Sequence, residues 1–162
     1  MSWEAQLEAL GCVGIAMILG AVLGAEREIA HKPAGLRTHM LISAASALLV
    51  ALEDPIIWRF FNPATVQIVR ADTLRILSAV ITAVGFLGAG TILRRANEDR
   101  VEGLTTAASM LLAAIIGLAA GLRQFPLAVG VTLLTLFALR WLRKIESKIR
   151  REVEPPPPKK AS

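Results

Sequence analysis

Residues 103–122 read GLTTAASMLLAAIIGLAAGL, a run without a charged side chain between Glu102 and Arg123. Wound as an α-helix at about 1.5 Å per residue, it matches a hydrocarbon core about 30 Å thick. Four other stretches share its character: Ala9 to Ala25 (with Leu7 as an extension), Thr38 to Leu52, Ile76 to Leu93 and Gln124 to Leu139, each bounded by charge. Five such runs predict an all-α polytopic membrane protein with about five transmembrane helices. Thr38 to Leu52 is the short one. It must begin earlier, drawing Arg37 to membrane depth, unless the bilayer thins around it. Pro126, near the start of the fifth run, suits a first helical turn. Between the second and third runs, Trp58, Phe60 and Phe61 suggest an interfacial stretch. Asn62-Pro63 marks a turn, and Asp72 is placed to cap the third helix.

Composition agrees. Hydrophobic residues make up 54% of the 162, and mean hydropathy is +0.57. A soluble domain has about 45–50% apolar residues. The remaining charges fall into short blocks that cannot cover a water-facing surface. A net charge of +5 and a pI near 10.1 raise the question of nucleic acid. The cations, however, sit beside apolar runs instead of clustering on one soluble face, so no nucleic-acid partner is expected. Cys12 is the only cysteine, which excludes an intramolecular disulfide and a thiolate metal site. In its apolar run it packs as a small residue. Residues 1–8 contain Glu4 and Glu8 but no Lys or Arg. A secretory n-region is positive, so the first run is expected to be retained as a helix.

Basic residues set the expected orientation. With five traverses, one side receives Arg27, Lys32, Arg37, Arg94, Arg95, Arg100 and the eight Lys and Arg from Arg140 onward. The other side receives only Arg59, Arg70, Arg75 and Arg123. Fourteen against four places the N-terminus outside and the C-terminus in the cytoplasm.

Small residues recur at helical spacing. Cys12, Ala16, Gly20 and Gly24 form one stripe on the first helix; Ala79 and Ala83 with the Gly85…Ala89 pair form one on the third. Ala113, Gly117 and Gly121 repeat it on the fourth. Such stripes let helix backbones approach closely in lipid, either within the chain or in a homo-oligomer. Beyond Leu139 the helix is expected to continue as a basic amphipathic segment, with Leu142, Ile145 and Ile149 on one face and Glu146 placed to pair with Arg150. That face suits anionic headgroups. Pro155 to Pro158 then stiffen a solvated tail ending in Lys159-Lys160.

Polar chemistry concentrates in two places on the expected cytoplasmic side. Glu26-Arg27-Glu28 and Lys32-Pro33-Ala34-Gly35-Leu36-Arg37-Thr38-His39 join the first two helices. Ionisable groups at that depth are paired, functional or snorkelling. Gly103-Leu104-Thr105-Thr106 opens the fourth helix, whose positive N-terminus could attract Glu26 or Glu28. Glu26, Glu28, Glu98, Asp99 and Glu102 could recruit magnesium weakly, although such acids are ordinarily solvated charge, and the metal ligands stay unassigned. His31 and His39 lack a ligand constellation. Phosphate loop, nucleophile elbow and metalloprotease motif are all missing, so neither enzymatic activity nor a cofactor is expected.

Four motifs in order carry a family resemblance: Gly20-Ala-Val-Leu-Gly24-Ala-Glu26-Arg27-Glu28, Pro33-Ala34-Gly35-Leu36-Arg37-Thr38-His39, Val84-Gly85-Phe86-Leu87-Gly88-Ala89-Gly90 and Gly103-Leu104-Thr105-Thr106-Ala107-Ala108. Together, over roughly residues 10–122, they closely resemble the MgtC/SapB family. The resemblance implies a bacterial inner-membrane protein with a role in magnesium homeostasis and in growth under magnesium limitation or inside host cells. The family was first labelled a magnesium transporter. Its best-described members look like regulators of other membrane proteins, ATP synthase included. Carried over by position, the motif residues are Glu26, Arg27, Gly35, Arg37, Thr38, Asp72, Gly85, Gly88, Gly90, Gly103, Thr105 and Thr106. Departures are Ala83, where the family usually has glycine, and Met110, near a usual tryptophan. Many members carry a soluble C-terminal domain, in whose place a basic tail stands here. The expected organisation is a transmembrane domain over 1–139 and a basic amphipathic cytoplasmic helix with a Pro-rich tail over 140–162.

Two readings of function follow. In the first, small-residue faces and charged loops bind another membrane protein and regulate it. In the second, Glu26, Arg37 and Asp72 line the path of an ion carrier or channel. The helix middles are almost wholly apolar, with Thr82 an exception, and this favours the first.

Overall fold

The computed structural model describes residues 2–60, 73–94 and 101–153. It contains α1 (Trp3–Ile29), α2 (Leu36–Phe60), α3 (Thr73–Ala89), α4 (Leu104–Gly121) and α5 (Phe125–Val153). A two-residue antiparallel ladder, Leu93–Arg94 with Val101–Glu102, ties the segment between α3 and α4. Trp3–Ile29, Leu36–Glu53 and Leu104–Gly121 are each long and apolar enough to cross a membrane, and Leu77–Ala89 and Phe125–Trp141 are shorter apolar helices. The chain is an all-helical polytopic membrane protein.

Contacts between helix ends fix the course of the chain. Gly24 of α1 lies against Leu36 at the start of α2, and Gly88 near the end of α3 lies against Ala107 near the start of α4. At the opposite end Gly121 meets Ala47 and Val50 of α2, and the guanidinium of Arg123, in the α4–α5 turn, bonds the Glu8 carboxylate of α1. That carboxylate raises the guanidinium's affinity for its proton. Direction therefore alternates from α1 to α4, and α2 and α4 run parallel. These two pack with α1 into a three-helix core, against which α3 and α5 are more lightly applied. Its centre is Ala16, Leu23, Ala47, Met110, Ala113, Ala114 and Ile116.

Helix ends show where local chemistry overrides the apolar pattern. α1 begins at Trp3 because the Ser2 hydroxyl accepts from the Ala5 amide, a side-chain cap. It also runs past Ala25 through Glu26, Arg27 and Glu28. The connection to α2 is therefore only residues 30–35. α2 starts at Leu36, with Arg37 in its first turn, as the shortness of its apolar run required. Its far end corrects the expectation: the helix continues through Glu53, Asp54 and Pro55 to Phe60. A proline removes one backbone donor and crowds one carbonyl, and here the helix absorbs both. Trp58 and Phe60 thus belong to α2. Asn62-Pro63 and Asp72 lie outside the described residues.

The third run is also corrected, because α3 stops at Ala89 and not Leu93. The Thr91 amide and hydroxyl both donate to the Gly88 carbonyl, and Ile92 N–H donates to Ala89, turning the chain out of the helix. Gly103 opens α4 with φ +94, and a side chain there would overlap the Thr91 carbonyl, so only glycine suits this turn. α5 crosses Leu139 and Arg140 without interruption, so the helix expected beyond the apolar run is continuous with it as far as Val153.

Candidate functional site

α1 ends and α2 begins at the edge of the three-helix core, and both elements turn polar groups inward there. Glu26 and Arg27 are 3% and 2% exposed. The Arg27 Nε donates to Glu26 Oε2 at 2.6 Å, and a second guanidinium nitrogen reaches the same oxygen. Residues adjacent in a helix normally point apart. These two bend together because neither charge survives burial without an opposite one.

One helical turn into α2, His39 is fully buried. Its Nδ1 lies 2.9 Å from the Gly35 carbonyl and its Nε2 lies 3.0 Å from the Ser109 hydroxyl of α4. Ser109 also reaches the Thr106 carbonyl at 2.8 Å. A single side chain thus joins α2 to α4 next to the Glu26–Arg27 pair. Farther along the same face of α2, Ser46 donates back to the Ile42 carbonyl. The buried Ser43 hydroxyl finds no hydrogen-bond partner among the described residues.

The remaining predicted positions separate. Thr106 is buried, whereas Thr105 and Arg37 are exposed. Thr38 is half-buried and lines a groove with Pro33, Ala34, Phe86, Gly90 and Met110. The expected attraction of Glu28 to the α4 N-terminus is corrected: its carboxylate accepts the Leu36 amide at 2.9 Å and caps α2. Asp72, Glu98 and Asp99 lie outside the described residues. Within those residues no group of three or more His, Cys, Asp or Glu converges as a metal site.

Two of the three small-residue stripes are interfaces. A Cβ at Gly20 would stand 2.6 Å from the His39 carbonyl oxygen, and one at Gly24 would stand 2.7 Å from Leu36 Cα. Gly117 and Gly121 meet Ser43 and Ala47 in the same way. The stripe on α3 is corrected. Val80, Val84 and Gly88 form its buried face, while Ala79, Ala83, Gly85 and Ala89 are exposed. Gly85 would meet nothing within 4 Å, and Gly90 contacts only its own turn. Small-residue spacing identifies a face but not which neighbour covers it.

Sequence reasoning passed over His39, Ser43, Ser46 and Ser109. It read the helix middles as apolar and asked of the histidines only whether they ligate metal. The signal was present, since His39, Ser43 and Ser46 fall at i, i+4 and i+7 on one helix face.

The sequence profile of the MgtC family matches residues 13–148. Protein SapB of Bacillus subtilis is 37% identical over 92% of this chain and 62% of its own length. YhiD of Escherichia coli, named as a candidate magnesium transporter, is 35% identical over 83% of this chain and 62% of its own length. Protein MgtC of Salmonella typhimurium is 34% identical over 84% of this chain and 53% of its own length. The chain thus spans between half and two thirds of the length of these relatives. No solved structure matches it. A profile match covering most of the chain, and relatives at this identity, make it a member of the MgtC family.

Proposed function

We propose that this protein acts in magnesium homeostasis at the bacterial inner membrane, as a non-catalytic regulator that binds another membrane protein. The magnesium link rests on family membership and on the name of the E. coli relative. The regulatory reading is carried by one observation. Between α1, α2 and α4 the helices are in close contact at Gly20, Gly24, Gly117 and Gly121, which leaves no room for an ion between them at those levels. Glu26 is buried against Arg27, so its carboxylate is closed to a hydrated cation, and Glu28 uses one carboxylate oxygen to cap α2. Among the described residues, the exposed small-residue face of α3 and the groove beside Thr38 are surfaces suited to a partner. The α3 face serves equally for a second copy of the chain. In this reading residues 1–139 form the membrane domain, and 140–162 form a cytoplasmic helix and tail.

The E. coli relative's name keeps magnesium transport as the alternative, and flux decides between them. Purified protein in liposomes loaded with a magnesium-sensitive dye is expected to give no saturable uptake above empty liposomes. Saturable uptake that disappears in Glu26→Ala would replace regulation with transport. In a deletion strain under magnesium limitation, Arg37→Ala and Glu26→Ala are both expected to fail to restore growth while still inserting into the membrane. Arg37 is exposed, so its loss leaves packing intact and isolates its functional role. Normal growth with both variants would remove these residues from the site. The C-terminus is expected to be cytoplasmic, and a reporter that works only in the periplasm, fused after Ser162 and found active, would reverse the topology.

A further inference from the structure

The hydrogen bonds around His39 can be completed in two protonation states of the ring. The Gly35 carbonyl can only accept, so Nδ1 carries a proton and donates to it at 2.9 Å. The Ser109 hydroxyl has one proton and two acceptors in reach, the ring Nε2 at 3.0 Å and the Thr106 carbonyl at 2.8 Å. When that proton points at Nε2, the ring is neutral and the Thr106 carbonyl keeps only its place in the α4 ladder. When it points at Thr106, Nε2 faces a lone pair and is satisfied only if it too carries a proton. Each arrangement is complete, and they differ by one proton on the ring and one hydroxyl rotation.

We propose that His39 is a proton-binding site. Protonation of Nε2 turns the Ser109 hydroxyl from the ring to the Thr106 carbonyl, so α2 and α4 stay joined in both states. The charged groups of the described residues that act on the ring are Glu26 and Arg27, both from α1. From α4 the groups in contact are the Ser109 hydroxyl and, through it, the Thr106 carbonyl; Arg37 on α2 itself is exposed. An imidazolium competes with Arg27 for the Glu26 carboxylate, so the bound proton acts on the buried ion pair as well as on α4. This inference stands apart from the choice between regulator and transporter.

The test is a ring-nitrogen NMR titration of the full chain in lipid nanodiscs, with histidine labelled with nitrogen-15. The chain has two histidines, and exposed His31 serves as the internal reference. As the pH is lowered, His39 Nδ1 is expected to stay protonated while Nε2 passes from acceptor to donor. The carbonyl carbon of Thr106 is expected to shift with the same midpoint, because it gains the hydroxyl as the ring gains its proton. Ser109→Ala removes the acceptor for the charged Nε2–H and is expected to lower the midpoint by about one pH unit, a tenfold weaker proton affinity. The proposal is overturned if His39 does not titrate while His31 does. It is equally overturned if Thr106 does not respond at the His39 midpoint in the unaltered chain, a readout that needs no variant to fold.

Discussion

Gly117→Val is expected to unfold the three-helix core. A Cβ at this position overlaps the Ser43 carbonyl oxygen and stands 2.9 Å from Ser43 Cα, both of them backbone atoms that cannot rotate away. Even alanine forces α4 away from α2, and the branched side chain adds to the separation. Overpacking a rigid contact costs about 3 kcal/mol or more at the upper end of such changes. In lipid the penalty is not recovered elsewhere, because close van der Waals packing is itself the main force between helices. Gly85→Ala is the control, since its Cβ meets nothing within 4 Å. It should leave stability unchanged or raise it by up to about 1 kcal/mol, the helix-propensity gain of alanine over glycine. Reversible unfolding of both variants in mixed micelles measures the contrast. Equal stability would mean that α2 and α4 do not touch at this point.

The second large effect is expected at Arg27. Arg27→Leu leaves the Glu26 carboxylate in a site that is almost wholly buried, at a cost of about 3–5 kcal/mol. Glu26 keeps further interactions, so the recovery in the double variant carries the test more firmly than the single loss does. Glu26→Gln with Arg27→Leu removes both charges and is expected to regain most of the stability. It should not regain function if the pair takes part in the protein's role. Failure of the double variant to recover stability would show that the two residues are not energetically joined.

Most of the fold was legible because hydrocarbon imposes a simple rule, namely that charge marks where a helix leaves the membrane. The rule placed α4 to within a residue at each end and found α1 and α5. It failed where hydrogen bonding decides the boundary, at Thr91 after α3. It failed again at Pro55, which the helix tolerates. The stripes on α1 and α4 pointed correctly to the core because both pack against α2. The α3 stripe did not, since sequence spacing carries no information about which neighbour is present. In the candidate site, Glu26 and Arg27 stood out because charges in an apolar setting are conspicuous. His39 and Ser109 were harder to see. They are 70 residues apart and meet only because α2 and α4 run parallel.

That parallel pairing also governs the order of assembly. The core is built from the first, second and fourth helices, so it cannot close while α3 is still being synthesised. Until α4 emerges, the face of α2 bearing His39, Ser43 and Ala47 is covered by α1 alone, and His39 Nε2 lacks its Ser109 partner. A chain halted after Ala89 should therefore insert yet remain loose and open to proteolysis. One extended to Gly121 should become resistant in a single step, with α3 already in place but contributing little to the change.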